Sequence, residues 1–416
     1  MRVHPALAER ARDTARLMLT RLADPVAVAD AVAASRQRAT HPFGWGGPGL
    51  FTGPAGSAVA FQAAHRAFPA EAAHWRGLAH QHLVAAAQAS FSAPLSHPGL
   101  SAGTAGLAFA FADSLREEPR YGGTLDKLDV QLAEQVVDSP SWRSDDGVRD
   151  SDYDAISGAA GTLGYLITVT DPQPLVRQAI DVLIDDLVWL CEPERWFIPP
   201  RLFPLESYSD RYPHGYVNTG LAHGIPGPLS ALSLAHQAGY HRGGIVEAIR
   251  RTADYLVDLP CKWPAGVPLT ESGTEDRDHL EPGRLAWCYG APGVASALLN
   301  ASVSLRDNTV RAVAVDGFES ALRSFDGLPE VPLCHGAAGL IPICAVFSEH
   351  SAVARDSVGE LAEHVLSHCD EDAPLIVRGD GMDDPSLLTG SAGVALALLT
   401  ATGDIDKRWT RALLLA

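Results

Sequence analysis

The strongest constraint on this chain is a short motif, Gly-x-x-Gly followed by a small-residue apolar segment, that occurs seven times. The first glycines of the motifs are Gly53, Gly103, Gly158, Gly224, Gly290, Gly336 and Gly390. Successive motifs start 46 to 66 residues apart. A single Gly-x-x-Gly carries little information, but seven at near-regular spacing, each opening the same kind of segment, indicate a repeat protein.

Longer amphipathic segments lie between the motifs. Their apolar residues recur at steps of three and four with charges on the opposite face, which predicts half-exposed helices. Examples are Glu71–Ser90, Pro174–Cys191, Gly244–Leu259, Thr309–Phe325 and Ala352–Cys369. Each repeat is therefore predicted to be a helical hairpin. Its motif-opened helix is apolar nearly all round and should be buried.

Seven hairpins can stack as an open solenoid or close into a ring. A solenoid usually carries polar capping repeats at its ends, whereas the first and last motifs here are as apolar as the middle ones. Helices crowded round an axis need small residues where backbones approach, and Gly and Ala supply them. We therefore predict an all-α fold: an α/α toroid of seven hairpins, with the Gly-x-x-Gly helices inside, no large sheet, and one domain over residues 1–416.

Two connections exceed the usual loop length. One runs from Arg195 to Gly220 and is rich in Pro, Tyr and Arg, and the other runs from Cys261 to Trp287. Because they bracket the fourth and fifth motifs, a substrate cleft is predicted to open there.

Composition and charge narrow the classes of partner. Fifty acidic residues against 32 basic ones give a net charge of −18, which argues against nucleic acid or an anionic membrane as partner. The first 22 residues lack the apolar core of a signal peptide, and no stretch is apolar enough to span a bilayer. We therefore expect a cytoplasmic protein, free or peripheral to a membrane-associated complex.

Three motifs carry ligand-type residues beside their glycines: His223 before Gly224, Cys288 in the fifth motif, and the pair Cys334 and His335 in the sixth. If the repeats are equivalent in space, these side chains converge at one end of the ring. Two cysteines and a histidine suit Zn²⁺ and leave its fourth position open, as catalytic zinc sites require.

The alternative for a free cysteine is burial as a small apolar side chain. Register within the repeat favours a metal site for Cys288 and Cys334. The other cysteines lack that register and are predicted to pack: Cys191, Cys261, Cys344 and Cys369.

In combination, four short strings of this sequence resemble the signature of the LanC family of lanthipeptide cyclases, whose fold is a seven-repeat α/α toroid. The strings are His223-Gly224-x-x-Gly227, Trp287-Cys288-Tyr289-Gly290-x-Pro292-Gly293, Cys334-His335-Gly336-x-x-Gly339 and Tyr153-Asp154-Ala155-Ile156-Ser157-Gly158. The resemblance covers essentially the whole chain. It implies one Zn²⁺ per chain on Cys288, Cys334 and His335.

The resemblance also implies an activity and its residues. A zinc-activated peptide cysteine would add to dehydroalanine or dehydrobutyrine, forming a lanthionine or methyllanthionine ring. His223 would be the acid/base and Asp154 its aspartate partner, with Arg284 and Tyr289 beside the metal. The substrate would be a dehydrated precursor peptide. A separate dehydratase, and an exporter, would be partners, because no part of the chain is left over for dehydration.

Each catalytic assignment has a structural alternative. Asp is a preferred helix-capping residue, so Asp154 could cap the helix that follows Gly158. Arg284 could pair with one of the many carboxylates. Tyr289 could be a packed aromatic with a hydrogen-bonded hydroxyl.

Other functions are compatible with much of the same sequence pattern. A related toroid that joins glutathione to dehydrated residues would carry the same metal site, so the motifs do not separate the two. Zinc prenyltransferases also activate thiols on a toroid but lack these Gly-flanked motifs. A non-catalytic zinc scaffold is the alternative from a different class, and the presence of His223 and Asp154 argues against it.

Overall fold

The computed structural model describes residues 3–39, 44–259, 263–278, 280–379 and 382–415. The α-helices, in chain order, are α1 Pro5–Leu22, α2 Pro25–Arg36, α3 Pro54–Ala67, α4 Ala72–Ser92, α5 Thr104–Leu115, α6 Gly122–Val137, α7 Asp150–Tyr153, α8 Ala159–Leu166, α9 Pro174–Leu190, α10 Tyr208–Arg211, α11 Pro226–Gln237, α12 Ile245–Val257, α13 Ala291–Leu305, α14 Asn308–Arg323, α15 Ala337–Phe347, α16 Ala352–Ser367 and α17 Ser391–Thr402. Short 3₁₀ segments cover Pro69–Glu71, Pro119–Tyr121, Pro200–Leu202 and Arg408–Leu413. The strands are β1 Phe197–Ile198, β2 Tyr216–Asn218, β3 Gly266–Pro268, β4 Arg378–Gly379 and β5 Met382–Asp383.

The chain folds into two compact units. The first comprises Met1–His97, Ser101–Leu128 and Ser324–Trp409, and it holds the sixth, seventh, first and second motifs. The second comprises Pro98–Leu100, Asp129–Arg323 and Thr410–Ala416, and it holds the third, fourth and fifth motifs. The single domain expected over residues 1–416 stays a prediction.

Helices begin at the motif glycines. Six of the seven glycines are the residue immediately before a helix, and in the fourth motif the helix begins at Pro226 instead. The second glycine of the motif is required by a close approach: a Cβ at Gly393 would lie 1.9 Å from the Leu387 carbonyl oxygen. A Cβ at Gly293 would lie 2.1 Å from the Trp287 carbonyl oxygen. The motif therefore folds the chain back on itself just before each helix.

In the first unit, the last motif lies beside the first. Helix α17 packs against α3, and the Leu387 N–H donates to the Phe51 carbonyl (3.3 Å). The same kind of bond joins Cys334 N–H to the Leu388 carbonyl (3.0 Å) and Phe51 N–H to the Ser101 carbonyl (3.2 Å). Contact between the first and last repeats is what a closed ring requires and an open solenoid lacks.

In the second unit, the third, fourth and fifth motifs are joined in the same way. Ala155 N–H donates to the Ala222 carbonyl (3.0 Å), and Ala222 N–H donates to the Cys288 carbonyl (3.2 Å). Helix α11 packs against both α8 and α13. These bonds fix the turns that carry Asp154, His223 and Cys288 next to one another along the unit.

The amphipathic segments predicted from the sequence correspond to α4, α9, α12, α14 and α16, with ends that agree within two residues. Each buries one face. In α9, for example, the buried residues recur at steps of three and four, from Val176 to Leu190. The motif helix α17, by contrast, is buried along its entire length.

The two long connections contain short strands, which the prediction of an all-α fold with no large sheet did not specify. Strands β1, β2 and β3 form a small antiparallel sheet in that order. Aromatic side chains cover it: Tyr212 and Tyr216 stack with ring centroids 4.4 Å apart. A two-stranded ribbon, β4–β5, lies in the first unit. None of the helices in the described ranges is long and apolar enough to cross a membrane.

Candidate metal centre and acid/base pair

The residues just before two motif glycines supply potential metal ligands. Cys288 lies two residues before Gly290, and Cys334 and His335 occupy the two places before Gly336. Ligand atoms of Cys288, Cys334 and His335 all lie within 4.8 Å of one another. Over the described ranges, no other group of three or more His, Cys, Asp or Glu side chains meets this condition. The Cys-Cys-His group could therefore hold a metal ion.

The donor set fits zinc. Zn²⁺ prefers thiolate and imidazole ligands in a tetrahedral arrangement, and three protein ligands leave one position open. Cys288 is 6% exposed, whereas Cys334 and the His335 side chain are partly accessible. The Glu330 carboxylate lies 4.0 Å from Nε2 of His335.

The remaining described cysteines are in different environments. Burial raises the pKa of Cys191 to about 11 and that of Cys369 to about 12, and it raises the pKa of Cys344 further. They are therefore thiols at neutral pH, and Cys191 and Cys344 are fully packed in the interior. Cys261 lies outside the described residues.

Asp154 uses its two carboxylate oxygens for two different contacts, one with the backbone of its own turn and one with His223. Oδ1 accepts the backbone N–H groups of Ile156 (3.0 Å), Ser157 (2.7 Å) and Gly158 (2.8 Å), so it caps the turn before α8. Oδ2 lies 2.5 Å from Nδ1 of His223. The side chain is 2% exposed. The capping role and the partnership with His223 are thus both present in the geometry.

His223 precedes Gly224 in the fourth motif, and its side chain is 37% exposed. Burial by itself lowers its pKa, but the hydrogen bond and charge of Asp154, with the charges of Asp150 and Cys288, more than offset this. The pKa of His223 is therefore raised above 6.5. Because Asp154 occupies Nδ1, Nε2 is the nitrogen left to exchange a proton with a substrate.

Tyr289 lies beside this pair, with its ring centroid 6.3 Å from that of His223. Burial raises the pKa of its phenol well above 10, so the hydroxyl keeps its proton. The Asn218 amide nitrogen lies 3.4 Å from the hydroxyl oxygen. Tyr289 is thus a packed aromatic residue with a hydrogen-bonded hydroxyl, and it also lies near His223.

Arg284 has an exposed side chain, and no carboxylate of the described ranges forms an ion pair with it. Its backbone packs tightly: a Cβ at Gly290 would lie 1.9 Å from the Arg284 carbonyl oxygen, and Gly290 has a φ of +103° that favours glycine. Arg284 therefore places an exposed cation on the chain that leads into the fifth motif.

Two further residues of this region escaped the sequence analysis. Asp150, on α7, is 9% exposed and adds its charge to that acting on His223. Asn218, at the end of β2, is fully buried and contacts Tyr289. A signal for Asn218 did exist: it lies six residues before Gly224, as Arg284 does before Gly290 and Asp384 before Gly390.

A family model described as lanthionine synthetase C-like protein matches residues 44–414. The chain belongs to this family. Among curated relatives of this LanC-like chain is the nisin biosynthesis protein NisC of Lactococcus lactis subsp. lactis. The two are 27% identical over 263 residues, which is 60% of this chain and 62% of NisC. The alignment therefore spans less than two thirds of the relative.

The solved structure of nisin cyclase superimposes on this LanC-like chain with a TM-score of 0.77. The match covers 93% of this chain and 96% of nisin cyclase at 24% sequence identity. The fold is therefore that of nisin cyclase, a helical toroid, and the prediction of a mostly helical toroid is confirmed. That the Gly-x-x-Gly helices line its inside stays a prediction.

Proposed function

We propose that this LanC-like chain is a zinc-dependent lanthipeptide cyclase. It would join cysteine thiols of a dehydrated precursor peptide to dehydroalanine or dehydrobutyrine, giving lanthionine and methyllanthionine rings. The observation that carries the proposal is a Cys-Cys-His group whose ligand atoms lie within 4.8 Å of one another in a chain that also holds a histidine–aspartate pair.

One Zn²⁺ per chain would be held by Cys288, Cys334 and His335. When bound, the ion supplies an open coordination position at which a substrate cysteine loses its proton and becomes a nucleophile. With two protein thiolates in the ligand set, a substrate sulfur held at that position would be more nucleophilic than it would be beside neutral ligands alone.

The His223–Asp154 pair would handle the proton. The substrate thiolate adds to Cβ of the dehydro-residue, the carbon–carbon double bond opens, and its electron pair moves to the neighbouring carbonyl as an enolate. His223, held through Nδ1 by Asp154, would deliver a proton from Nε2 to Cα. The substrate thiol would release one proton to water and His223 would regain one from water, so the sum is addition of S–H across the double bond, with no oxidant or reductant.

Two other side chains could stabilise the enolate before it is protonated. Tyr289 keeps its hydroxyl proton and can donate it in a hydrogen bond. Arg284 is a cation without an ion pair to any carboxylate of the described ranges. Donors placed at the oxygen where charge develops are usually the largest single contribution to such a reaction.

The substrate chemistry implies partners. Dehydroalanine and dehydrobutyrine arise from serine and threonine by loss of water, so we propose that a separate dehydratase supplies the peptide, and that an exporter acts after ring closure. We propose a cytoplasmic site of action, where glutathione keeps Cys288 and Cys334 reduced.

The test uses purified wild-type protein and a short synthetic peptide carrying one dehydroalanine and one cysteine. Ring closure leaves the mass unchanged, so it is followed as loss of alkylatable thiol by mass spectrometry. We expect near-stoichiometric zinc, and ring closure that stops when zinc is removed by a chelator and returns when zinc is restored. Cys288→Ala should lose both metal and activity, whereas Cys369→Ala, at a packing cysteine, should keep both.

The same assay separates the alternatives. Added glutathione distinguishes the two thiol-adding reactions, because an enzyme acting on glutathione would give a product heavier by one glutathione instead of a ring. A protein that binds zinc yet leaves the peptide thiol unchanged would be a scaffold. Ring closure by metal-free wild-type protein would contradict the zinc assignment.

A further inference from the structure

Asn218 lies where the small sheet meets the turn that carries His223. It ends β2, its side chain is fully buried, and its backbone carbonyl accepts the Ile225 N–H (3.0 Å). The neighbouring Gly220 leaves room for Tyr289, since a Cβ there would lie 2.3 Å from the Tyr289 ring. Asn218 is therefore packed between the His223 turn and the Tyr289 side chain.

The orientation of the Asn218 amide follows from its partners. The oxygen Oδ1 accepts the Gly220 N–H (3.1 Å), and this backbone donor could not bond to an NH₂ group. The nitrogen Nδ2 therefore faces two phenols, the hydroxyl of Tyr289 at 3.4 Å and that of Tyr216 at 3.5 Å. Since Nδ2 can only donate, it donates to the phenol oxygens, and the Tyr289 hydroxyl proton is left for another acceptor.

A comparison between repeats shows that the turn itself does not require this donor. Asp384 occupies the equivalent place, six residues before Gly390, and its Oδ1 accepts the Ser386 N–H (2.7 Å) as Oδ1 of Asn218 accepts Gly220. At Asp384 the second oxygen is an acceptor too, and it accepts the Thr389 hydroxyl (2.7 Å). Either side chain can shape the turn, so what distinguishes asparagine at 218 is the NH₂ group that meets Tyr289.

We propose that Asn218 is a positioning residue whose amide donates to the Tyr289 oxygen, so that the Tyr289 hydroxyl donates its proton to the enolate oxygen of the substrate. The inference rests on the proposed cyclase function and deepens it. An acceptor at position 218 would instead take the Tyr289 proton, and the hydrogen bond to the enolate would be lost.

The decisive experiment is a double-mutant cycle between Asn218 and Tyr289, measured on the dehydroalanine–cysteine peptide at mildly alkaline pH. Asn218→Asp keeps the acceptor that the turn needs and replaces the donor with an acceptor. Loss of one donor at a developing oxyanion costs about 10²–10³ in kcat. We expect a kcat loss of that order for Asn218→Asp and for Tyr289→Phe, with KM and zinc content unchanged. The double variant should be no slower than the slower single one.

Independent variants keep the outcome clear. Asn218→Ser, which lacks the amide donor and adds no buried charge, should show the same loss, and Asp384→Asn should leave kcat at the wild-type value. Full activity of Asn218→Asp, or losses that multiply in the double variant, would overturn the proposal. Zinc content and ring closure by wild-type protein report on the cyclase function, whereas the coupling between 218 and 289 reports on Asn218 alone.

Discussion

Two histidines, one in each unit, have pKa values that are shifted in opposite directions. His223 lies in the second unit with Nδ1 2.5 Å from an Asp154 oxygen, and its pKa is raised above 6.5. His82 lies on α4 in the first unit and is 8% exposed. Its ring packs edge-on against Phe61, and burial lowers its pKa to about 4. Among the described residues, its Nδ1 has no hydrogen-bond partner.

The contrast shows that burial alone does not make a proton donor. Desolvation acts on both rings and disfavours the charged form of each. Only at His223 does a carboxylate reverse the outcome, and that carboxylate is already held in place by three backbone N–H groups of its own turn. The proposed acid/base pair therefore uses a capping aspartate whose second oxygen binds His223.

The largest effect is expected from removing His223 itself. His223→Asn should leave zinc content and fold intact and slow ring closure by about 10²–10⁴-fold, the usual contribution of a general acid or base. The measurement is loss of alkylatable thiol over time, beside metal analysis and circular dichroism.

A matched control for His223→Asn exists in the seventh motif. Thr389 also lies just before a motif glycine and donates to a buried aspartate. Thr389→Val should leave kcat unchanged. Wild-type rates in His223→Asn would make His223 a packing residue, and loss of zinc would make it a ligand.

A smaller effect should follow from a substitution that lowers the pKa of His223, as burial lowers the pKa of His82. Asp154→Asn keeps an oxygen for the three backbone N–H groups but removes the charge that raises the pKa of His223. Without the hydrogen bond and charge of Asp154 the pKa of His223 should fall, while the charges of Asp150 and Cys288 remain. A step that needs protonated His223 would then lose rate at lower pH than in the wild type. An unchanged pH profile of kcat would contradict the role given to Asp154.

Much of the fold was predictable because its signals repeat. Five amphipathic helices have the predicted ends within two residues, since their burial follows a three- to four-residue period. The sheet of β1, β2 and β3 was not predictable. Its strands are only two or three residues long and lie in connections rich in Pro and Tyr, so they have no period to detect.

The candidate site was predictable where a side chain stands one or two residues before the first glycine of a motif, as Cys288, Cys334, His335 and His223 do. Asn218 stands six residues before its glycine, and its neighbours in sequence give no hint that β2 turns its side chain toward Tyr289. For Asp154 the sequence left two alternatives, helix capping and partnership with His223, because a sequence does not show which carboxylate oxygen faces which donor. Those details depend on packing between repeats.

The last prediction concerns His82, where the expected effect is on stability. Its pKa is about 4 in the fold and about 6.5 when the chain is unfolded, so the unfolded state binds the proton more tightly. Stability is therefore fully present above pH 6.5 and declines as the pH falls toward 4, by about 3 kcal/mol in total. His82→Leu, a neutral side chain of similar size, should remove most of this decline. Urea unfolding of the wild type and variant, at neutral pH and near pH 5, measures the difference. If the wild type and His82→Leu lose the same stability on acidification, protonation of His82 does not oppose folding. Burial would then not explain the difference between His82 and His223.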